Sequence, residues 1–165
     1  MANELRVVEE RLDALPEGKQ ALRLWLRLLT CSTMVEQRMR QLLKEEFNTT
    51  LPRFDLLAAL DRAPEGLTMG ELSRWLMVSN GNVTGVADRL EAEGLIMRTP
   101  SPDDRRTQVV TITKKGREDF RRMAQVHENW IKGLFSDMPP GDMDALMTLL
   151  AKAKQSVANH TKDNQ

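Results

Sequence analysis

Apolar residues recur along most of the chain at the three-to-four spacing of amphipathic helices. Leu5, Val8, Leu12 and Leu15 form the first such run, which Pro16 and Gly18 break. Residues 19 to 47 read as one long helix. Its first part, Ala21 to Cys31, is apolar on nearly every side (Leu22, Leu24, Trp25, Leu26, Leu28, Leu29), the pattern of a helix covered from more than one direction. A partner subunit or the chain's own core would each supply that cover, and the sequence leaves both open. Asn48 to Leu51 ends the helix, and Pro52 suits the first turn of the next, which carries Phe54, Leu56, Leu57, Ala59 and Leu60 and stops at Pro64 and Gly66. Thr68 stands three residues before Glu71, the spacing of a capping box, and the short helix behind it contains Leu72, Trp75 and Leu76. Ser79 opens another helix that runs to about Glu93. Val83, Val86, Ala87 and Leu90 form its inner face, and Gly94 is its expected C-terminal stop.

The period then changes. Leu95 to Thr99 and Thr107 to Thr113 read as two strands, the second rich in β-favouring Val109, Val110 and Ile112. Between them lies the polar tip SPDDRR. A long helix follows from about Lys114 to Phe135. Pro139 and Pro140 start the last one, with Met143, Leu146, Met147, Leu150, Ala153 and Val157 on one stripe, and the polar tail after Asn159 is expected to fray. The fold class is therefore mainly α with a small β-hairpin.

Composition narrows the function. The 165 residues suit one domain, and the formal net charge is zero, so any nucleic-acid contact must draw on basic residues gathered on one face. No apolar run reaches the roughly 18–20 residues that span a bilayer. The start MANELRVVEERLD lacks an apolar signal segment, which points to a cytoplasmic protein with no membrane partner. The lone Cys31 excludes an internal disulfide and a cysteine-based zinc site. Flanked by Leu28, Leu29 and Met34, it is expected to be buried and unreactive, which disfavours redox sensing. Two histidines, His127 and His160, are too few for most metal or catalytic clusters. There is no nucleophile–base pair and no Gly-rich phosphate loop, so no enzyme, no cofactor and no metal is expected.

Two short helices joined by a tight turn at Leu76 to Ser79, followed by a hairpin, have the order of a winged helix-turn-helix. The second helix begins with Asn80, Asn82 and Thr84, with Gly81 and Gly85 between them. Small and amide side chains let a helix enter a major groove and meet base edges. Two glycines inside a helix each cost about 1 kcal/mol relative to alanine, which close approach to DNA would explain. In the hairpin tip, Arg105 and Arg106 are placed to enter a minor groove. Asp104, two residues before Arg106, is expected to orient that guanidinium by a bidentate pair. From Arg98 to Arg122 there are eight basic and four acidic residues, a local excess of +4 that suits a phosphate-binding face. A glycine-weakened surface helix and a self-paired solvated turn are the plain alternatives.

Leu90, Glu91, Gly94 and Leu95, then Asp104 and Arg106, then Val110, Thr113 and Gly116 resemble the motifs of the MarR family of bacterial transcriptional regulators, and the likeness runs over about residues 20 to 158. That resemblance implies a winged helix-turn-helix lobe over 51–116, dimerisation helices over 19–50 and 117–160, and an N-terminal extension over 1–18. It also implies an obligate homodimer that binds double-stranded DNA at palindromic operators. Ser79, Asn80, Asn82, Val83, Thr84, Arg89, Arg105 and Arg106 are the expected DNA-binding residues.

A small effector in this family usually sits between the dimerisation helices and the DNA-binding lobe. Here that region should include Trp25, Arg27, Met34, Arg38, Arg40, Arg53, Phe54, Met123, His127 and Trp130. The segments LPRFDLLAALDR and MAQVHENWI are similar to those of regulators of aromatic-acid degradation, some of which respond to aryl-coenzyme A thioesters. Arg27, Arg38, Arg40 and Arg53 supply cations suited to carboxylate or phosphate oxygens. The expectation is a repressor of a catabolic operon, released from DNA by an aromatic acid or its coenzyme A thioester. A regulator of stress or efflux genes with a different effector, and an interaction module that has lost DNA binding, are the competing readings.

Overall fold

A computed structural model describes residues 18–77, 80–101, 104 and 106–162 of the chain. The helix expected over residues 5 to 15, and with it nearly all of the expected 1–18 extension, lies outside the described residues, as do Ser79 and Arg105.

The long first helix is present as α1 (Gln20–Phe47), and Asn48 closes it in the left-handed region, its backbone N–H returning to the carbonyls of Leu43 and Lys44. Helix α2 (Leu51–Asp61) carries Pro52 in its first turn as expected. Helix α3 (Met69–Leu76) carries the full capping box: Thr68 accepts from the Glu71 N–H, and the Glu71 carboxylate accepts from the Thr68 N–H at 2.8 Å. The Thr68 N–H and hydroxyl, both donating to the half-buried Glu71 carboxylate, hold it below its ordinary pKa. Helix α4 (Asn80–Ala92) ends before Gly94, whose φ of +72° is the left-handed stop read from the sequence.

The strands differ from expectation in one respect. Besides β2 (Ile96–Pro100) and β3 (Gln108–Ile112), the two residues Leu67–Thr68 form β1, paired antiparallel to Val110 and Val109, so β3 is central in a sheet ordered β1-β3-β2. Helix α5 spans Lys114–Leu134. Helix α6 spans Pro140–Lys162, continuing past the Asn159 at which fraying was expected.

The chain resolves into two compact units, one ending at Val126 and the other beginning at His127. In the first, Leu43, Leu56, Leu57, Leu60, Leu72, Leu90, Ile96 and Val110 make a tight apolar core, closed by Phe54 against Phe120 with ring centroids 5.4 Å apart. Gly116 is dictated by packing, since a Cβ there would stand 2.0 Å from the Leu95 carbonyl oxygen. The start of α1 is a different case. Leu22, Leu24, Trp25, Leu28 and Leu29 are all exposed, so the chain's own core does not supply their cover. For the same reason Cys31 is exposed, which corrects the expectation of a buried thiol: the leucines beside it enclose nothing. In the second unit, the α6 stripe of Met143, Leu146, Met147, Leu150 and Val157 is likewise exposed.

Candidate nucleic-acid interface and effector cavity

Helix α4 divides cleanly by its periodicity. Val83, Ala87 and Leu90 are buried, while Asn82, Thr84, Gly85, Asp88 and Arg89 are exposed. Asn82, Thr84 and Arg89 therefore stay on the accessible face, and the side chain of Asn80 lies outside the described residues. Val83 is corrected: at 1% exposure it belongs to the core and cannot meet a base. A Cβ built at Gly81 or Gly85 would meet nothing within 4 Å, so no packing inside the chain requires glycine at either position. Met77, which closes α3, is a non-glycine residue at φ +52° that is almost fully exposed.

Three groups fix the wing to this helix. Glu91 accepts from the Arg98 backbone N–H and from its guanidinium, both at 3.0 Å, and Asp88 takes the same guanidinium at 2.7 Å. Thr113 donates to the Gly94 carbonyl at 2.8 Å and accepts from the Gly116 N–H at 3.0 Å, capping α5 while tying it to the end of α4. At the wing tip Arg106 is exposed. Asp104 does not clamp its guanidinium, as the sequence suggested. Among the described residues its carboxylate accepts instead from the Arg106 backbone N–H (2.9 Å) and the Thr107 hydroxyl (3.0 Å). A short polar side chain in a tight turn reaches the nearby backbone more readily than the end of a long arginine.

The expected effector residues do not gather at one point. Arg53 and Met123 line a cavity of about 460 Å³ together with Phe47, Leu57, Leu95, Arg89, Glu93, Asp119 and Arg122. Arg40 instead lines a second cavity of about 540 Å³ with Glu36, Asp55, Asn82 and Arg89. There burial lifts the Asp55 carboxyl to a pKa of about 6, against the pull of Arg40. Phe54 is a core residue that lines neither cavity. Met34 is half-buried, and the exposed Arg38 bonds to Gln41 at 3.0 Å. Trp25 and Arg27 sit far up α1; at 1.5 Å per residue, Trp25 lies about 33 Å along the helix from Phe47. His127 and Trp130 belong to the second unit, where their rings meet edge-on at 6.4 Å and burial pulls the imidazole below its ordinary pKa.

Sequence reasoning missed Arg122 and Phe47 as cavity residues. Arg122 lies over the Phe47 ring at 5.9 Å. Periodicity marks both helices but gives no sign that residues 47–53 and 119–123 share a wall. Among the described residues there is no cluster of metal-ligating side chains, and no helix is long and apolar enough to cross a membrane.

Comparisons with known proteins agree on the family. The model of the MarR family matches residues 49–107. The transcriptional activatory protein BadR of Rhodopseudomonas palustris is 37% identical over 107 residues, 64% of this chain and 61% of BadR, so the chain spans about three fifths of that relative. The uncharacterized HTH-type transcriptional regulator YkoM of Bacillus subtilis is 34% identical over 119 residues, 72% of this chain and 75% of YkoM. The crystal structure of CouR from Rhodococcus jostii RHA1 bound to p-coumaroyl-CoA superposes with a TM-score of 0.68 at 22% identity, covering 82% of this chain and 91% of CouR, a likeness of fold.

Proposed function

Since the chain belongs to the MarR family of DNA-binding transcriptional regulators and is not an enzyme, we propose that it acts as a homodimer on a palindromic operator, represses a catabolic operon, and leaves DNA when an aromatic acid or its coenzyme A thioester binds. Residues 51–116 read DNA in this proposal, and residues 19–50 and 117–160 join the two copies. The exposed apolar start of α1 and stripe of α6 are the surfaces a second copy would cover.

The observation that carries the DNA contact is the pair Gly81 and Gly85. Gly85, in the helix interior, costs about 1 kcal/mol relative to alanine, Gly81 stands in the first turn, and neither is required by packing within the chain. Close approach of α4 to a major groove supplies the reason, with Asn82 and Thr84 beside them to read base edges. Arg106 serves as a positioning contact from the wing. Arg106→Ala should weaken operator binding by about 1.5–3 kcal/mol, the range for a charge-assisted hydrogen bond, and flatten its salt dependence. Unchanged affinity at every salt concentration would remove Arg106 from the interface.

The effector reading rests on the 460 Å³ cavity, which lies within the usual range of roughly 300–1,000 Å³ for small-molecule sites. It combines apolar Phe47, Leu57 and Met123 with the arginines 53, 89 and 122, and Arg89 of the recognition helix forms part of its wall. CouR, solved with p-coumaroyl-CoA, makes the thioester a fair candidate. Ligand would favour a lobe spacing that no longer fits successive major grooves, so operator affinity falls. The test titrates p-coumarate and p-coumaroyl-CoA into the operator complex and follows fluorescence anisotropy. Release by either supports the reading, and release by neither ends it. A promoter fusion that rises on effector addition supports repression, and one that falls indicates activation.

A further inference from the structure

The cavity behind the recognition helix contains an ion pair that an anionic ligand would have to open. Arg53, at the start of α2, meets Glu93, just past the end of α4, through two parallel hydrogen bonds: Nη1 to Oε1 at 2.8 Å, and Nη2 to Oε2. The guanidinium is largely covered, its side chain 19% exposed, whereas that of Glu93 is 48% exposed. Arginine is thus the fixed half of the pair and the carboxylate the half free to swing into water. Lys115 Nζ donates to the Glu93 carbonyl at 2.9 Å, so the residue is fastened to α2 by its side chain and to α5 by its backbone. Arg53 bonding also holds the Glu93 carboxyl below the usual carboxylate range.

The remaining charges of the cavity are arranged differently. Arg122 lies 3.7 Å from Asp119 on its own helix, too far for a strong hydrogen bond, and Arg89 has no ion pair among the described residues. The two together favour entry of an anion without offering a fork already set in place. Arg53 does offer one, but a single guanidinium edge binds one carboxylate in bidentate fashion at a time.

We infer that the carboxylate of an aromatic acid entering this cavity takes the place of Glu93 on Arg53, and that the displaced Glu93 frees the C-terminal end of the recognition helix from α2 while Lys115 and Thr113 still hold it to α5. This rests on the proposed aromatic effector and chooses the free acid over the thioester, which has no carboxylate on its acyl group. The ring occupies the space beside Leu57 and Met123. The charge on Arg53 stays neutralised while Glu93, now facing a like charge, is driven outward. The ligand thereby binds one conformation better than the other, which any ligand-driven switch requires. By reciprocity, operator binding weakens the acid by the factor by which the acid weakens operator binding, typically about 5–150-fold.

The experiment is calorimetry of p-coumarate, its neutral amide and p-coumaroyl-CoA with the intact protein and with Glu93→Gln and Arg53→Lys, paired with operator affinity by anisotropy. Removing the competing carboxylate should tighten p-coumarate binding about tenfold while weakening ligand-free operator binding by a similar factor, a reciprocal pattern expected of coupled sites. A purely structural role would not strengthen any ligand. Arg53→Lys should lose acid binding about tenfold because lysine has no fork, and the amide should bind none of the three proteins well. If Glu93→Gln fails to fold, Glu93→Asp, too short to span to Arg53, carries the same test. Acid affinity unchanged or weakened in a folded Glu93 variant overturns the displacement but spares the effector reading. Binding of the thioester without the acid does the same. Binding of neither compound overturns both.

Discussion

The lobe built from α2 to β3 and the terminal helix α6 use leucine in opposite ways. In the lobe Leu56, Leu57, Leu60, Leu72 and Leu90 are fully covered. On α6 Leu146, Leu149 and Leu150 stand 40–60% exposed. Helical periodicity is equally plain in both, so pattern alone does not tell a residue's cover. What differs is the supply of partners: the lobe closes three helices over a small sheet, while α6 keeps an apolar stripe that a soluble monomer has little reason to retain. The lobe is complete in one chain, and the stripe reads as half of an interface.

The sharpest way to break that contrast is to charge the stripe. If the proposed homodimer is joined there, Leu146→Glu together with Leu150→Glu should turn it into a monomer by sedimentation. Operator affinity should fall at least about 100-fold, because linked half-sites gain roughly 10²–10⁴ over single ones. The lobe should keep its own core, visible as native far-UV circular dichroism. A double variant that remains dimeric on intact operator would show that α6 is not the joint.

This contrast also explains what the sequence made legible. Capping signals are local, so Thr68 with Glu71 and Gly94 marked their helix ends correctly. The inner face of α4 was legible from the 83–87–90 spacing, and the same spacing argues against Val83 as a DNA contact. Strand β1 was not legible, since two residues show no alternation and pairing with Val109 and Val110 is set by the fold. The cavity was half legible. Arg53 and Met123 were expected there, but Phe47 and Arg122 join them through contacts distant in sequence, and Trp25 stands too far along α1 to reach the same wall of its own chain. Asp104 was recognised as important with the wrong bonding, because spacing identifies neighbours without saying whether side chain or backbone receives the bond.

Within the complete half of the contrast, the wing clamp should give the next largest effect. Glu91→Ala leaves the Arg98 backbone N–H without its acceptor and removes one of two carboxylates from a mostly covered guanidinium. A lost bond to a charged group costs about 1.5–3 kcal/mol. The urea midpoint should fall accordingly, and operator affinity should drop about tenfold as the wing loses its fixed angle to α4, the factor that about 1.4 kcal/mol of lost binding energy would produce. Asp88→Ala should cost under about 1 kcal/mol, since its side chain is more than half exposed and such pairs contribute little. Equal losses at the two sites would mean that Arg98 depends on both carboxylates alike.

The smallest effect tests whether the covered lobe carries a cost of its own. Asp55 lies on α2 beside Arg40 and Glu36, and burial raises its pKa from 3.8 to about 6. A carboxyl whose folded pKa exceeds its unfolded value binds protons more tightly when folded. Its contribution is therefore most favourable below about pH 4 and is lost as pH rises through about 6, after which this contribution no longer changes. Because the group keeps contact with water, the full shift overstates the energy, and about 1 kcal/mol is the expected loss across that window. Asp55→Asn should remove the slope and raise stability at pH 7.5 by about the same 1 kcal/mol, read as urea midpoints at pH 4.5 and 7.5. Arg40→Gln should act in the opposite sense, since the guanidinium lowers this pKa and its loss deepens the penalty for the ionised form. A stability that still falls with pH in Asp55→Asn would place the responsible group elsewhere in the chain, whereas the half-buried His127 contributes only in the opposite sense.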